Sequence, residues 1–188
     1  MLRRLGICAL IALAAMGCEK AKKALGMEEK CTRVHELGDV PNTDIEPLAR
    51  IVQLQARPVK ATWARGQVGG PAEDANLAGE GDWEVVALLE FSDGDTNKLT
   101  DSGNGEVVEL EMPYAPWLAK ALGIAAPAGF KPGECKDVSM KVSGLGYDAT
   151  PFVQYFLKPV AFVKVPESPY FVLWLSTRPP PREEGRSP

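Results

Sequence analysis

The stretch Tyr170–Leu175 reads YFVLWL and is apolar at every position. A strand with apolar side chains on both faces must be covered on both faces, which predicts a central place in a sheet. Two further stretches, Trp83–Phe91 (WEVVALLEF) and Glu106–Met112 (EVVELEM), have strand-like patterns, and the second alternates apolar and polar side chains. Because a turn-rich stretch separates them, they predict a β-hairpin.

Composition indicates a mainly β fold around these strands. The chain has 188 residues and 45% apolar content, enough to bury one core, and its 18 glycines and 16 prolines favour short strands and turns over long helices. A capping-box pattern at residues 43–46 and an apolar stripe in Pro113–Gly123 predict short helices. We therefore expect one antiparallel β-sandwich-like domain with one or two short helices, the second of which covers Tyr170–Leu175.

The amino terminus has the layout of an export signal. Residues 1–18, MLRRLGICALIALAAMGC, contain two arginines, the uncharged stretch Leu5–Met16, small residues and a cysteine. As a helix the uncharged stretch would rise about 18 Å, short of the roughly 30 Å hydrocarbon core of a bilayer. The pattern predicts a cleaved signal peptide and not a permanent membrane span.

The end of this segment, Ala15-Met16-Gly17-Cys18, resembles the lipobox of bacterial lipoproteins. The resemblance implies cleavage before Cys18 and transfer of diacylglycerol, with acyl chains such as palmitate, to the thiol of that residue. The lipid then anchors the protein in the membrane. In the lipoproteins that this segment resembles, an aspartate after the cysteine favours retention in the inner membrane. Because Glu19 stands at that position, the resemblance implies the outer membrane, with the protein facing the periplasm. The alternative is an ordinary signal peptide cut after Ala14 or Ala15, followed by secretion.

These features divide the chain into four parts. Residues 1–17 form the signal peptide, and residues 18–30 form a densely charged tether after the lipidated Cys18. Residues 31–176 form the β-rich domain. Residues 177–188, TRPPPREEGRSP, lack any core residue and are predicted to be a disordered tail.

Two cysteines, Cys31 and Cys135, remain in the predicted domain after processing. An even number of cysteines in an oxidising compartment favours a disulfide, and a closed loop of about 104 residues would contribute about 4 to 5 kcal/mol in the chain-entropy model. Two unpaired thiols are the alternative. A metal site is not expected, because adding His35 gives only three soft ligands without a Cys-x-x-Cys pair.

The remaining polar residues indicate no catalytic chemistry and no cofactor. A formal net charge of -4 argues against a nucleic-acid partner. The pairs Glu84 with Glu90 and Glu109 with Glu111 share strand faces, where we expect exposed carboxylates and not a glycosidase pair. Residues 93–97, DGDTN, resemble the start of an EF-hand calcium loop but lack its later glycine and glutamate, so they predict a hydrated hairpin connection.

A group of aromatic residues near the carboxyl end could carry the function. It comprises Phe152, Tyr155, Phe156, Phe162, Tyr170, Phe171 and Trp174. Exposed aromatics often anchor partner proteins, so Tyr155, Phe162 and Tyr170 are candidate partner-binding residues, although strands also use aromatics in their cores. We expect a membrane-anchored, non-catalytic binding or assembly subunit of the cell envelope. The alternative is a periplasmic carrier of a small hydrophobic ligand or lipid.

Overall fold

A computed structural model describes residues 35–37, 40–68, 82–101, 105–128, 130, 138–154 and 156–178. Its strands are β1 (His35–Leu37), β2 (Lys60–Val68), β3 (Trp83–Glu90), β4 (Glu106–Pro113), β5 (Ser139–Tyr147), β6 (Lys158–Lys164) and β7 (Tyr170–Ser176). Its helices are α1 (Ile45–Ala49), α2 (Asp93–Asp101) and α3 (Pro116–Leu122), with a 3-10 turn at Thr150–Phe152.

The described strands form one antiparallel sheet of seven strands in the order β1-β2-β3-β7-β6-β5-β4. The predicted mainly β, antiparallel fold with short helices is therefore confirmed. The strands share a single hydrogen-bonded sheet, and helices and loops cover its faces. Strand β7 lies between β3 and β6 and is buried from Phe171 to Ser176, as its uniformly apolar sequence predicts.

The first face of the sheet is covered by α1, the chain that follows it, and the segment around the 3-10 turn. Leu48 and Val52 are fully buried against Leu89 and Phe171 in one hydrophobic cluster. The Asp44 side chain caps α1 by accepting a hydrogen bond from the Glu46 N–H at 3.1 Å. This cap satisfies one of the free N–H groups of the first turn, so the helix predicted there forms.

The second face of the sheet is covered by α3. Leu118 and Ala119 are buried in one cluster with Val172 and Trp174 of β7. Helix α3 begins at a proline and ends at Gly123, whose φ of 68° is left-handed, and both features are favourable at those positions. The prediction that this helix covers the central strand is confirmed.

The predicted hairpin between β3 and β4 is wrong. Strand β3 pairs with β2 on one side and with β7 on the other, while β4 pairs with β5. Both edges of β3 are thus occupied. The turn-rich stretch expected to connect the hairpin forms α2, which carries the chain from the centre of the sheet to its edge.

Candidate functional site

Most of the described aromatic group forms core. Phe162 stacks on Phe171 at 5.0 Å between ring centroids and lies 4.4 Å from Phe152, and all three side chains are at most 2% exposed. A side chain locked in the core cannot contact another protein. The prediction that Phe162 is a partner-binding residue is therefore wrong, because packing against the first face takes up its ring.

The other two predicted partner-binding residues, Tyr170 and Tyr155, provide no fully exposed aromatic ring among the described residues. Tyr170 is half-buried, with the Lys60 ammonium 6.0 Å from its ring centroid. Tyr155 lies outside the described residues. Phe156, a member of the aromatic group that was not among the three candidates, is 80% exposed. Strand periodicity could not find it, because it lies in a connection and not in a strand.

Exposed apolar side chains occur together on the outer face of the paired strands β4 and β5. Val107 is 86% exposed and lies directly opposite Leu145, which is 38% exposed. Farther along, the Lys141 ammonium contacts Glu109 at 2.6 Å, and this hydrogen bond raises the pKa of Lys141. The outer face is therefore apolar at one end and ion-paired towards the other.

Strand β4 is an edge of the sheet over its eight residues. It pairs with β5 on one side, and no strand among the described residues pairs with its other side. An edge strand presents backbone N–H and C=O groups that another chain can pair with. The opposite edge differs, since β1 has three residues and an isolated bridge pairs Asn42 with Trp63 of β2.

A groove of about 500 Å³ lies between β4 and β6 on the second face of the sheet. Its apolar lining includes Val108 and Leu110 of β4 and Val160 and Ala161 of β6. These four side chains are half-buried, and the last three pack against the second core. The groove is thus an uncovered continuation of the face that α3 covers elsewhere.

A glycine of β5 leaves space in this groove. A Cβ atom on Gly146 would lie 2.9 Å from Val108 Cγ1, so any side chain there would press on the groove wall. The charged lining residues are Glu106, Glu109 and Asp148, and none of the lining residues is basic. Hydrogen bonds from Thr150 lower the pKa of Asp148 and favour its charged form. The groove is apolar inside and acidic at its margins.

Glu84 contradicts the expectation that the strand carboxylates are exposed. It is fully buried on the second face, where its Oε2 accepts a hydrogen bond from Trp174 Nε1 at 2.7 Å. Glu90 is half-buried, while Glu109 and Glu111 are exposed as expected. Strand periodicity places Glu84 on one face, but only the assembled sheet shows that this face is covered.

The residues that resemble the start of a calcium loop form part of α2. Asp95 accepts hydrogen bonds from Ser92 at 2.9 Å and from Lys98 at 3.0 Å, and these bonds lower its pKa. The expectation of a hairpin connection at these residues is wrong, because the carboxylate supports the first turn of a helix.

Several predicted site residues cannot be placed. Cys18, Cys31 and Cys135 lie outside the described residues. Lipidation and the disulfide therefore stay predictions. Among the described helices, none is both long enough and apolar enough to cross a bilayer.

Comparisons with known proteins add no functional information. Neither a protein-family model, nor a curated protein, nor a solved structure matches this chain. The features that bear on function are the free edge of β4, the exposed side chains of β4 and β5, and the groove between β4 and β6.

Proposed function

We propose that the protein is an exported, lipid-anchored lipoprotein of the bacterial cell envelope, at the periplasmic side of the outer membrane, and that it acts as a non-catalytic binding or assembly subunit. The observation that carries this proposal is the free edge of β4, with Val107 exposed beside it. Edges of this length are normally blocked or used for pairing.

The geometry favours a protein partner at this edge. Val107 and Leu145 provide exposed apolar area, and the neighbouring backbone provides hydrogen-bonding groups in a fixed direction. A protein segment uses both features at once, whereas a small molecule uses chiefly the first. The edge formed by β4 and β5 therefore replaces the late aromatic residues as the proposed interface.

The membrane address rests on the lipobox and is tested through Cys18. Metabolic labelling with a fatty-acid analogue should mark the wild-type protein but not Cys18→Ser. The variant should also leave the membrane fraction or accumulate as precursor, because one of the signals that hold it there is gone. Equal labelling of both proteins would contradict the anchor.

The interface is tested by site-specific crosslinking in intact cells. A photoreactive amino acid replaces Val107 or Leu145 in turn, and Val59, which is 61% exposed on β2's flank, provides the matched control. Adducts of one size at both Val107 and Leu145, absent at Val59, would support the proposal. No adduct at Val107 or Leu145, or the same adducts at all three positions, would contradict it.

A second candidate function is carriage of a small hydrophobic ligand or lipid, and the groove of about 500 Å³ favours it. Cavities of this size accept ligand-sized molecules. Native mass spectrometry of the protein extracted from its membrane should then show a bound molecule that Gly146→Val displaces. Protein of unliganded mass in gentle detergent would count against carriage.

A further inference from the structure

The pattern of side chains along β4 identifies the kind of chain that fits its free edge. We infer that β4 takes up an extended segment of another protein as an additional antiparallel strand, in which basic residues alternate with apolar ones. This inference rests on the proposed function and names the chemistry of its partner.

The backbone of β4 sets the direction and the length of the strand that could be added to it. Every pairing in the sheet is antiparallel, and β4 offers an eight-residue edge with no described strand beside it. An added strand would satisfy the free N–H and C=O groups of β4, as peptides do when they extend a sheet. In the part of the chain that the structure describes, the other edge of the sheet offers the three residues of β1.

Both faces of β4 carry acidic side chains next to apolar ones. On the outer face, exposed Val107 is followed by Glu109, which is also paired with Lys141 of β5, and by Glu111, which accepts a hydrogen bond from Ser139. On the groove face, exposed Glu106 is followed by half-buried Val108 and Leu110. Residues directly opposite each other in neighbouring strands interact, so lysine or arginine opposite the glutamates and apolar residues opposite the others would be favourable.

The groove strengthens the argument on the inner face. Val108 and Leu110 of β4 line the groove together with Val160 and Ala161 of β6. Apolar side chains opposite Val108 and Leu110 in an added strand would extend this apolar surface across β4. The acidic Asp148 at the same groove favours a basic residue in the segment.

The same charges argue against a second copy of this chain. Pairing of β4 with itself would bring the three glutamates of each copy, Glu106, Glu109 and Glu111, into two neighbouring strands, which is less favourable than pairing with a basic segment. The acidic edge would therefore disfavour self-association and favour a basic partner, which combines attraction with discrimination.

The inference is tested with a synthetic peptide, VKVKVVK, written to face β4 in the antiparallel direction with lysines opposite the glutamates. Fluorescence anisotropy measures its binding to the full chain purified in detergent at low salt. We expect saturable binding that weakens as salt rises. The acidic peptide VEVEVVE should not bind, and N-methylation of alternate residues should weaken binding at least about tenfold, equal to about 1.4 kcal/mol.

Charge reversal on the protein supplies the matched comparison. Glu106→Lys should weaken binding of VKVKVVK at least about fivefold, since it places like charges in facing strands. Glu167→Lys makes the same change at an exposed site in the β6–β7 turn and should leave binding unchanged. Equal effects of the two variants would show attraction by net charge alone and would overturn the inference.

Amide hydrogen exchange shows whether the peptide pairs with the edge. Bound peptide should slow exchange at alternate amides between Val107 and Met112. Protection confined to β6, or no new protection, would overturn strand addition. If Val107 gives crosslinks in cells but the purified protein does not bind the peptide, the proposed function is supported and only this inference is contradicted. Edge binding without cellular adducts would support the chemistry while contradicting the proposed function.

Discussion

A single hydrogen atom in place of a side chain allows β5 to approach β6. At Gly144 an added Cβ would overlap the backbone carbonyl oxygen of Lys164 and lie 2.7 Å from Val163 Cγ1. Backbone cannot move aside as a flexible side chain can. This glycine is therefore required by close approach, although its own backbone conformation suits any residue.

Gly144→Ala should consequently destabilise the protein by about 1 to 3 kcal/mol, the range of overpacking in a well-packed site. The measurement is urea unfolding of the full chain. Gly94→Ala is the matched control, because nothing lies within 4 Å of its added Cβ in α2 and alanine suits a helix better than glycine. It should raise stability by about 0.5 kcal/mol. Equal stability of the two variants would contradict the close approach.

The buried carboxylate of Glu84 gives a second prediction at this scale. Glu84→Ala removes the acceptor of the Trp174 indole N–H and should cost about 1 to 3 kcal/mol. Glu84→Gln keeps an acceptor oxygen and should cost less. Glu90→Ala, on the same face of β3, should change stability by no more than about 0.5 kcal/mol. Thermal unfolding of Glu84→Ala at the wild-type midpoint would show that the bond is unimportant.

At the scale of elements, the sequence predicts what each segment is better than where it lies. The apolar pattern of YFVLWL correctly places β7 in the centre, because burial of both faces is a property of the segment itself. The β3–β4 hairpin was wrong because sheet neighbours depend on distant segments, and here β7 takes the position beside β3. Residues 93–97 have turn-forming types, yet Ser92 and Lys98 support a helix there.

The aromatic residues around β6 provide a prediction for this scale. Phe162→Ala should lower stability by about 3 to 5 kcal/mol, because it leaves a cavity between the rings of Phe152 and Phe171. Phe156→Ala removes a ring that is 80% exposed and should leave the thermal midpoint nearly unchanged. Calorimetry of both variants makes the comparison. A small loss for Phe162→Ala would mean that its ring is not part of the core.

At the scale of the whole molecule, the candidate site emerges only from the order of the strands. The sequence predicts that Glu109 and Glu111 share a wet strand face, and both are exposed. It cannot predict that β4 is an edge, since this follows from the positions of all other described strands. Likewise, the groove exists because Gly146 lies between two strands that are distant in sequence.

The predicted disulfide belongs to the same scale, because it would connect two residues that are about 100 positions apart in the sequence. In sequence, Cys31 precedes β1 and Cys135 precedes β5. Such a bridge closes a long loop and restricts the unfolded chain strongly. Its loss in Cys31→Ala should cost about 2 to 5 kcal/mol.

The bridge is measured by intact mass and by unfolding of the processed protein. Alkylation under denaturing conditions should modify Cys31 and Cys135 only after reduction, and modification without reduction would contradict the bond. Reduction should destabilise the wild type but not Cys31→Ala, which lacks the bridge already. The double variant with Cys135→Ala should be about as stable as Cys31→Ala, because residues that act through one bond are not additive. Additive losses would instead indicate two separately packed thiols.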